Sequence, residues 1–395
     1  MALRSAVFFL FAALACGAER SGGVPFEPPQ GAPPTNEPPF IPPRFSGAAG
    51  DLASQRLCGS TDPAVLARAP TFAPKLAADF PRPYTMPGFP NIAIVDDDGT
   101  LVGAGDIDLA ATATIYYRVF KDDRDFLFVF ASTADAVSSD YNAYYRTLRN
   151  TVRGIGLSTY DNTATYGSRG RLLGVANLNS IHRWTNFLTP LMDLWPLGVI
   201  AHELGHQWIA YIKLASGTIT TDPATRLRGH WQPLVHTQAS IMYGNDWAVV
   251  TEATAFDGGT VPGTFESLSF PKGFSALDKY LMGVHGPEKV EPFFRIEATE
   301  SVINAHYAMP GNTATGTKVA VTIDEIVARN GTRVPSFEAA QTEFKGAFIL
   351  IAERGRRPTV AELTAVEYMR IRIPEHFNSA TDDRFTISTA LTRRP

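Results

Sequence analysis

Cysteine is scarce in this 395-residue chain, which contains only Cys16 and Cys58. Two cysteines cannot form the network of disulfides that stabilises many small secreted domains. Basic residues show no excess either, since 35 Lys and Arg stand against 39 Asp and Glu, for a net charge of -4. Because broad nucleic-acid binders are usually clearly basic, this balance argues against a nucleic-acid partner.

No apolar run is long enough to cross a membrane as a helix. The N-terminal run, Ala6–Ala15, is much shorter than the ~20 residues that a span requires. It follows Arg4 and ends in the Ala-Leu-Ala of residues 13–15, a small-x-small cleavage pattern. Residues 1–18 are therefore predicted to be a signal peptide, and the protein is expected to be secreted, on the cell surface or in the periplasm.

The position of Cys16 raises a second route to the cell surface. It directly follows the cleavage pattern and so resembles the first mature residue of bacterial lipoproteins, which carries the lipid and tethers the protein to a membrane. Those signals usually have Leu three residues before the cysteine, whereas this chain has Ala13. A soluble secreted form is therefore the alternative.

The region between the signal and the central motif divides into a linker and a folded part. Proline dominates residues 24–43, and residues 19–50 are predicted to be a disordered linker. The apolar run that ends at Phe130 has no alternation and predicts a strand buried on both faces. The complete set predicted here comprises strands at 91–95, 125–130 and 171–178 and a helix at 141–151.

The sequence His202-Glu203-Leu204-Gly205-His206 places two histidines four residues apart. On a helix both imidazoles point the same way, as two zinc ligands on one element require. Glu203 lies beside them and is placed to take a proton from a water whose pKa zinc lowers to about 7. Pro196 fits the first helical turn, and apolar residues at helical spacing predict that the helix continues to Tyr211, before Gly217.

The third metal ligand does not follow from this motif. HExxH resembles the motif of zincin metallopeptidases, but the metzincin continuation x-x-G-x-x-H is absent after His206. An Asp or Glu on a later helix would be the thermolysin-like solution. The side chains that offer a suitable nitrogen or oxygen atom are His230, His236, Glu252 and Asp278.

Two later segments resemble parts of metzincin peptidases. Residues 240–244 (Ser-Ile-Met-Tyr-Gly) resemble the Met-turn, in which a methionine, here Met242, packs beneath the metal. Residues 274–283 resemble the helix that follows, with Ser275 as N-cap and Asp278 as its capping-box partner. That role weakens Asp278 as a ligand and favours His230, since leishmanolysin-type metzincins also carry an insertion before the third histidine.

The resemblance implies an α+β fold with a mixed sheet and an active-site helix. It places a zincin-like catalytic domain at 51–286, and in that family the strand before the helix lines the substrate cleft. A C-terminal α/β region follows at 287–395, packed on the catalytic domain or continuing it. From about residue 110 the chain is also similar to a set of uncharacterised bacterial secreted proteins regarded as peptidases.

Local patterns predict several elements after the motif. The Asp-Gly-Gly of residues 257–259 predicts a hairpin, and residues 319–328 begin as a strand and become helical. Residues 347–351 fit a strand or a buried helix segment. Thr359 with Glu362 three residues later predicts a capping box at the start of a helix over 359–371.

These observations predict a secreted zinc-dependent metallopeptidase acting on a peptide or protein substrate. Zn²⁺ is held by His202, His206 and His230, and Glu203 is the general base. Tyr243 is a candidate to stabilise the oxyanion, although an aromatic packed into the turn is the simpler interpretation. The alternatives are a catalytically inactive surface binding protein on the same scaffold and a zinc hydrolase acting on another amide or ester.

Overall fold

The structure is a computed structural model, and it describes residues 82–103, 105–133, 137–138, 142–188, 194–220, 229–298 and 310–394. The predicted signal peptide, Cys16 and the proline-rich linker lie outside the described residues. In the part that is described, no helix combines the length and the apolar character that crossing a membrane requires.

The regular structure of the described residues consists of short strands and five α-helices. The helices are α1 (Leu109–Tyr116), α2 (Leu194–Gly205), α3 (Ala276–Met282), α4 (Ile323–Asn330) and α5 (Val360–Ala380). The strands are β1 (Tyr84–Met86), β2 (Phe89–Asp96), β3 (Val102–Gly103), β4 (Asp106–Ile107), β5 (Phe126–Ala131), β6 (Tyr144–Thr147), β7 (Arg149–Asn150), β8 (Tyr160–Asp161), β9 (Gly174–Ser180), β10 (Trp231–His236), β11 (Tyr243–Asn245), β12 (Trp247–Thr251), β13 (Thr254–Phe256), β14 (Gly259–Val261), β15 (Gly263–Ser267), β16 (Phe293–Ala298), β17 (Thr313–Val321), β18 (Glu343–Ala352) and β19 (Thr386–Ser388).

The first sheet is the larger one, and it combines strands that precede the HExxH motif with two strands, β18 and β19, from much later in the chain. Its order is β1-β2-β18-β5-β9-β6, and β19 pairs with the first residues of β18. Strands β2, β18, β5 and β9 run parallel, whereas β1 and β6 are antiparallel to their neighbours. The strands predicted at 91–95, 125–130 and 171–178 are confirmed as β2, β5 and β9.

Helices cover both faces of this sheet, as strand β5 shows. Phe128 packs into one apolar core with residues of α2 and α5, and its neighbour Val129 packs into a second core with residues of α1. Successive strand side chains point to opposite faces, so covering both faces buries all six residues of β5. Such a strand needs apolar residues at every position, which explains its uninterrupted hydrophobic sequence.

A second sheet has six strands, all of which follow the HExxH motif in the sequence. Its order is β11-β10-β16-β17-β15-β12, antiparallel except for the pair β10 and β11. The hairpin of β13 and β14 turns at Asp257-Gly258, where Gly258 has a φ of +106°, and the predicted hairpin is confirmed. Helices and mixed sheets together place the chain in the general α+β class.

One prediction about the first sheet is wrong. The helix predicted at 141–151 is not formed, because residues 144–147 pair with β9 and residues 149–150 form β7. All four residues of β6 are buried, so long-range pairing and burial decide their conformation rather than local helical preference. Among the described strands, β9 is flanked by β5 and β6, so β6 is the outer strand on this side of the sheet.

The C-terminal part of the chain completes the first sheet. Strand β18 lies between β2 and β5, so residues 347–351 are a strand at its centre. The predicted change from strand to helix is confirmed by β17 and α4. Helix α5 has the predicted capping box of Thr359 and Glu362, but it extends to Ala380, beyond the predicted end at 371.

The buried carboxylate of Glu362 does more than cap α5. The Arg356 guanidinium donates to both of its oxygens, over 2.7 and 2.8 Å, and His182 Nε2 lies 3.0 Å from Oε1. Burial by itself raises the pKa of Glu362, but hydrogen bonds from Arg356 and Thr359 outweigh it and bring the pKa to about 2. The folded protein therefore stabilises the ionised carboxylate.

Replacing Glu362 with glutamine is expected to lower the free energy of unfolding at pH 7 by about 1 to 2 kcal/mol, because a neutral amide cannot replace the charge-assisted hydrogen bonds from Arg356, which water screens in part. A pKa below the unfolded value means that this stabilisation is complete above pH ~5 and disappears as the pH falls toward 2. Urea unfolding at pH 7, 5 and 3 measures the difference. The exposed pair of Glu375 and Arg372 supplies the control, since Glu375→Gln should change little at any pH. A difference for Glu362→Gln that stays constant with pH would contradict this account.

Candidate metal centre

Helix α2 carries His202 and Glu203, and it ends within the motif, directly before His206. Its last residue is Gly205, so the predicted continuation to Tyr211 is wrong. After Glu203 the backbone tightens, since the N–H groups of His206, Gln207 and Trp208 each donate to the carbonyl three residues earlier. His202 and His206 nevertheless remain on one side, with ring centroids 4.9 Å apart.

The fold brings His230 to these two histidines. One ring nitrogen from each of His202, His206 and His230 lies within 4.8 Å of the others, and all three side chains are 0% exposed. The Nε2 atoms of His202 and His230 are 3.1 Å apart. A tetrahedral zinc with Zn–N distances of about 2.0–2.1 Å holds its nitrogens about 3.3–3.4 Å apart, so this spacing suits a metal ion.

Hydrogen bonding and burial prepare the imidazoles to bind a cation. His202 Nδ1 lies 2.7 Å from the carbonyl oxygen of Ile241, which can only accept, so Nδ1 carries the proton and Nε2 keeps its lone pair. Burial lowers the pKa of His202 to about 4. Burial, followed by the proximity of His230 and His202, holds the pKa of His206 well below its usual value. Both rings are therefore neutral at pH 7, the form that binds metals.

The ring nitrogens of His206 supply an independent sign of a missing partner. Both atoms are buried and accept or donate no hydrogen bond of normal geometry within the described part of the chain. Buried polar atoms are nearly always satisfied, so an orphaned imidazole needs an explanation. A metal ion held jointly with His202 and His230 would satisfy one of these two nitrogens, while the backbone of Ile209 and Gly229 is close enough to act on the same ring. The donor set of three imidazole nitrogens fits such an ion.

The other candidate ligands lie elsewhere. The carboxylate of Glu252 is exposed and pairs with Lys318 over 2.8 Å. His236 stacks on Phe294 with centroids 4.8 Å apart, and its Nδ1 accepts from the backbone N–H of Trp247. Asp278 forms the capping box of α3 predicted from the sequence. None of the three belongs to the cluster of described residues that could hold a metal.

Glu203 is next to the cluster but is not part of it. Its side chain is 0% exposed, and Oε2 lies 4.0 Å from Nε2 of His206. No hydrogen bond of normal geometry from the described residues reaches either oxygen. Burial raises the pKa of Glu203 well above its usual value, and the backbone of Tyr145 on β6 opposes this only in part. A carboxyl group with a raised pKa beside a metal-binding cluster is suited to proton transfer.

The segment that resembles a Met-turn packs against the end of α2. An ideal Cβ placed on Gly205 would lie 2.6 Å from Sδ of Met242 and 2.9 Å from a ring carbon of Phe274. Glycine at this position is therefore what lets Met242 approach the helix below the histidines. Tyr243 follows with a φ of +75°, and its ring stacks on His230 with centroids 4.2 Å apart. This contact gives Tyr243 a packing role, while an oxyanion role stays a prediction.

Sequence reasoning did not identify the residues that join the cluster to the first sheet. Gln207 is buried, receives a hydrogen bond from the Tyr145 hydroxyl over 2.9 Å, and donates to the Arg149 carbonyl over 2.8 Å. The His206 carbonyl accepts from the hydroxyls of Tyr211 and Thr147. These bonds hold strand β6 beside the segment that follows α2. A glutamine directly after the second histidine was the only sequence signal for them.

Comparisons with family models, with curated proteins and with solved structures found no match to this chain. The case for a function therefore depends on the geometry of the site.

Proposed function

We propose that the protein is a zinc-dependent metallopeptidase, secreted or held at the cell surface, with a zincin-like catalytic domain. The observation that carries this proposal is the buried cluster of His202, His206 and His230 with Glu203 beside it. Catalytic zinc sites use three protein ligands and keep a fourth position for water or substrate, and the three histidines that would hold the metal here match that number. Helix α2, packed beneath a parallel sheet with an antiparallel outer strand, supports the zincin-like architecture.

Zinc bound to the three histidines would acidify a water molecule and polarise the carbonyl of the scissile amide. The carboxylate of Glu203 accepts the proton of the attacking water and then delivers it to the leaving nitrogen. Its position 4.0 Å from His206 Nε2 places it beside the metal ligands, within reach of a molecule in the open position. The buried surroundings strengthen these electrostatic effects because little water screens them.

Strand β6 is the element most suited to position an extended substrate. Among the described strands it is the last on its side of the sheet, and the backbone of Tyr145 is close enough to influence the Glu203 carboxylate. An outer strand offers backbone donors and acceptors to an extended peptide, which binds as an additional strand. A peptide chain aligned along β6 therefore passes the metal ligands and the general base.

One observation favours a second candidate. All three histidines and Glu203 are 0% exposed, so the site described here is closed to a protein substrate. A closed site suits a zinc hydrolase that acts on a small amide or ester, or a binding protein on the same scaffold that holds metal without turnover. The peptidase requires that the chain opens enough to admit a peptide.

Zinc analysis combined with an activity panel tests these proposals. Purified full-length protein loaded with zinc and then desalted should contain about one zinc per chain, because the three histidines form one site. Casein and gelatin should be cleaved, and a chelator should abolish cleavage. Protein without zinc after loading contradicts every zinc-based function. Protein that binds zinc and cleaves small esters or amides, but neither casein nor gelatin, supports the second candidate instead.

A further inference from the structure

The carboxylate of Asp278 receives more hydrogen bonds than a helix cap requires. Oδ2 accepts from the backbone N–H of Ser275 over 2.7 Å, which is the capping-box bond. Oδ2 also accepts from the Ser240 hydroxyl over 2.5 Å, and Oδ1 accepts from the Trp231 indole N–H over 2.7 Å. Asp278 is 0% exposed, so a single buried carboxylate joins three separate segments of the chain.

One of these bonds leads to His202. The Ser240 hydroxyl accepts from the backbone N–H of Met242 over 2.9 Å and donates to Asp278, which fixes the turn between them. The residue inside that turn, Ile241, directs its carbonyl oxygen at His202 Nδ1 over 2.7 Å. Asp278 therefore acts on the group that sets the tautomer and the ring orientation of His202.

A second bond leads to His230. Trp231 directly follows this histidine, and its backbone N–H donates to the Met242 carbonyl over 3.0 Å while its indole donates to Asp278. The residue after His230 is thus held at both its backbone and its side chain. Met242 belongs to the turn that Ser240 closes, and Ser240 is bonded to Asp278. The same carboxylate is therefore connected to both His202 and His230.

We propose that Asp278 is a positioning residue for the metal centre, which sets the relative placement of His202 and His230 through Ser240 and Trp231. This inference depends on the proposed zinc site. Partners that orient metal ligands matter for affinity, and losing one typically weakens metal binding about 10- to 100-fold.

A carboxylate performs this task where an amide cannot. All three partners donate to Asp278, and a carboxylate accepts at both oxygens. In an Asp278→Asn variant the side-chain NH₂ must face either the Trp231 indole or the pair formed by Ser240 and Ser275. In the first orientation two donors meet and the connection to Trp231 is lost. In the second the NH₂ meets the backbone N–H of Ser275, and the Ser240 hydroxyl has to accept where it donates in the parent, so the hydrogen bonds around this side chain change in either case.

The experiment compares zinc affinity and thermal stability in four variants of the full chain. Asp278→Asn, Ser240→Ala and Trp231→Phe each remove part of the connection, and Trp231→Phe keeps an aromatic ring in place. Ser275→Ala is the matched control, because it removes the Ser275 hydroxyl that caps Asp278 N–H but leaves the bonds that Asp278 accepts from Trp231, Ser240 and the Ser275 backbone. Zinc Kd is measured by competition with a chelator of known affinity.

We expect the first three variants to bind zinc about 10- to 100-fold more weakly than the parent. Ser275→Ala should melt at a lower temperature and bind zinc within about twofold of the parent. Equal zinc Kd in the parent and in Asp278→Asn, with a lowered melting temperature, overturns the positioning role and leaves only capping. If Asp278→Asn does not fold, unchanged Kd in both Ser240→Ala and Trp231→Phe overturns it. A parent that binds no zinc contradicts the proposed function itself, a different result from a zinc-binding parent with unaffected variants.

Discussion

Replacing Glu203 with glutamine is expected to lower kcat on a protein substrate by roughly 10²- to 10⁴-fold, the range that a positioned general base contributes. The zinc content should stay at about one per chain, because Glu203 lies outside the cluster formed by the histidines. The fold should also persist. Glutamine has the same shape as glutamate and therefore fills the same buried position.

The measurement combines casein cleavage, zinc content and thermal unfolding on the same preparations. Glu291→Gln makes the same chemical change on an exposed residue and should leave all three values unchanged. If Glu203→Gln cleaves casein as fast as the parent, proton transfer occurs elsewhere and the proposed mechanism is wrong.

The second large effect is expected from His230→Ala. Removing this imidazole leaves only two histidines in the cluster. It also leaves a cavity beside the Tyr243 ring, which stacks on the His230 ring in the parent. Zinc affinity should fall by more than about 100-fold, beyond the effect of losing an outer partner, and hydrolysis should be abolished. Equilibrium dialysis against a zinc buffer measures the affinity, and the same samples are assayed with casein.

His236→Ala is the matched control for this variant. The sequence offered His236 as an alternative third metal ligand, but in the structure its ring stacks on Phe294 in the second sheet. The change should cost some stability and leave the zinc affinity intact. The opposite outcome, in which His236→Ala loses zinc and His230→Ala keeps it, would falsify the assignment of the third ligand.

Local sequence patterns predicted those features that local chemistry determines. The uninterrupted apolar run of β5 requires burial on both faces wherever the strand lies in the sheet. The capping boxes of Ser275 with Asp278 and of Thr359 with Glu362 each depend on residues three apart. The spacing of His202 and His206 likewise requires only one turn of helix. Each of these was visible without knowledge of the tertiary fold.

Features that depend on residues far away in the sequence were harder to predict from local patterns. Residues 144–147 form a strand because β9 lies beside them, although the region was predicted to be helical. Helix α2 ends at Gly205, where Met242 and Phe274 leave no room for a side chain, and both contacts come from later segments. The choice of His230 over Asp278 was favoured by its place before a segment that resembles a Met-turn and by the capping-box role predicted for Asp278. The hydrogen bonds of Asp278 now show what that carboxylate does instead.

The central position of β18 in the first sheet determines when this sheet can form during folding. All three histidines and Glu203 have been synthesised well before this strand, yet β2 and β5 cannot be joined until β18 enters between them. Pairing of strands so distant in sequence makes folding slow and leaves apolar strands exposed in the meantime. A product that stops before residue 343 would contain every proposed metal ligand and still lack the centre of the sheet on which α2 packs. Metal binding is therefore expected only after β18 has been synthesised and has entered the sheet.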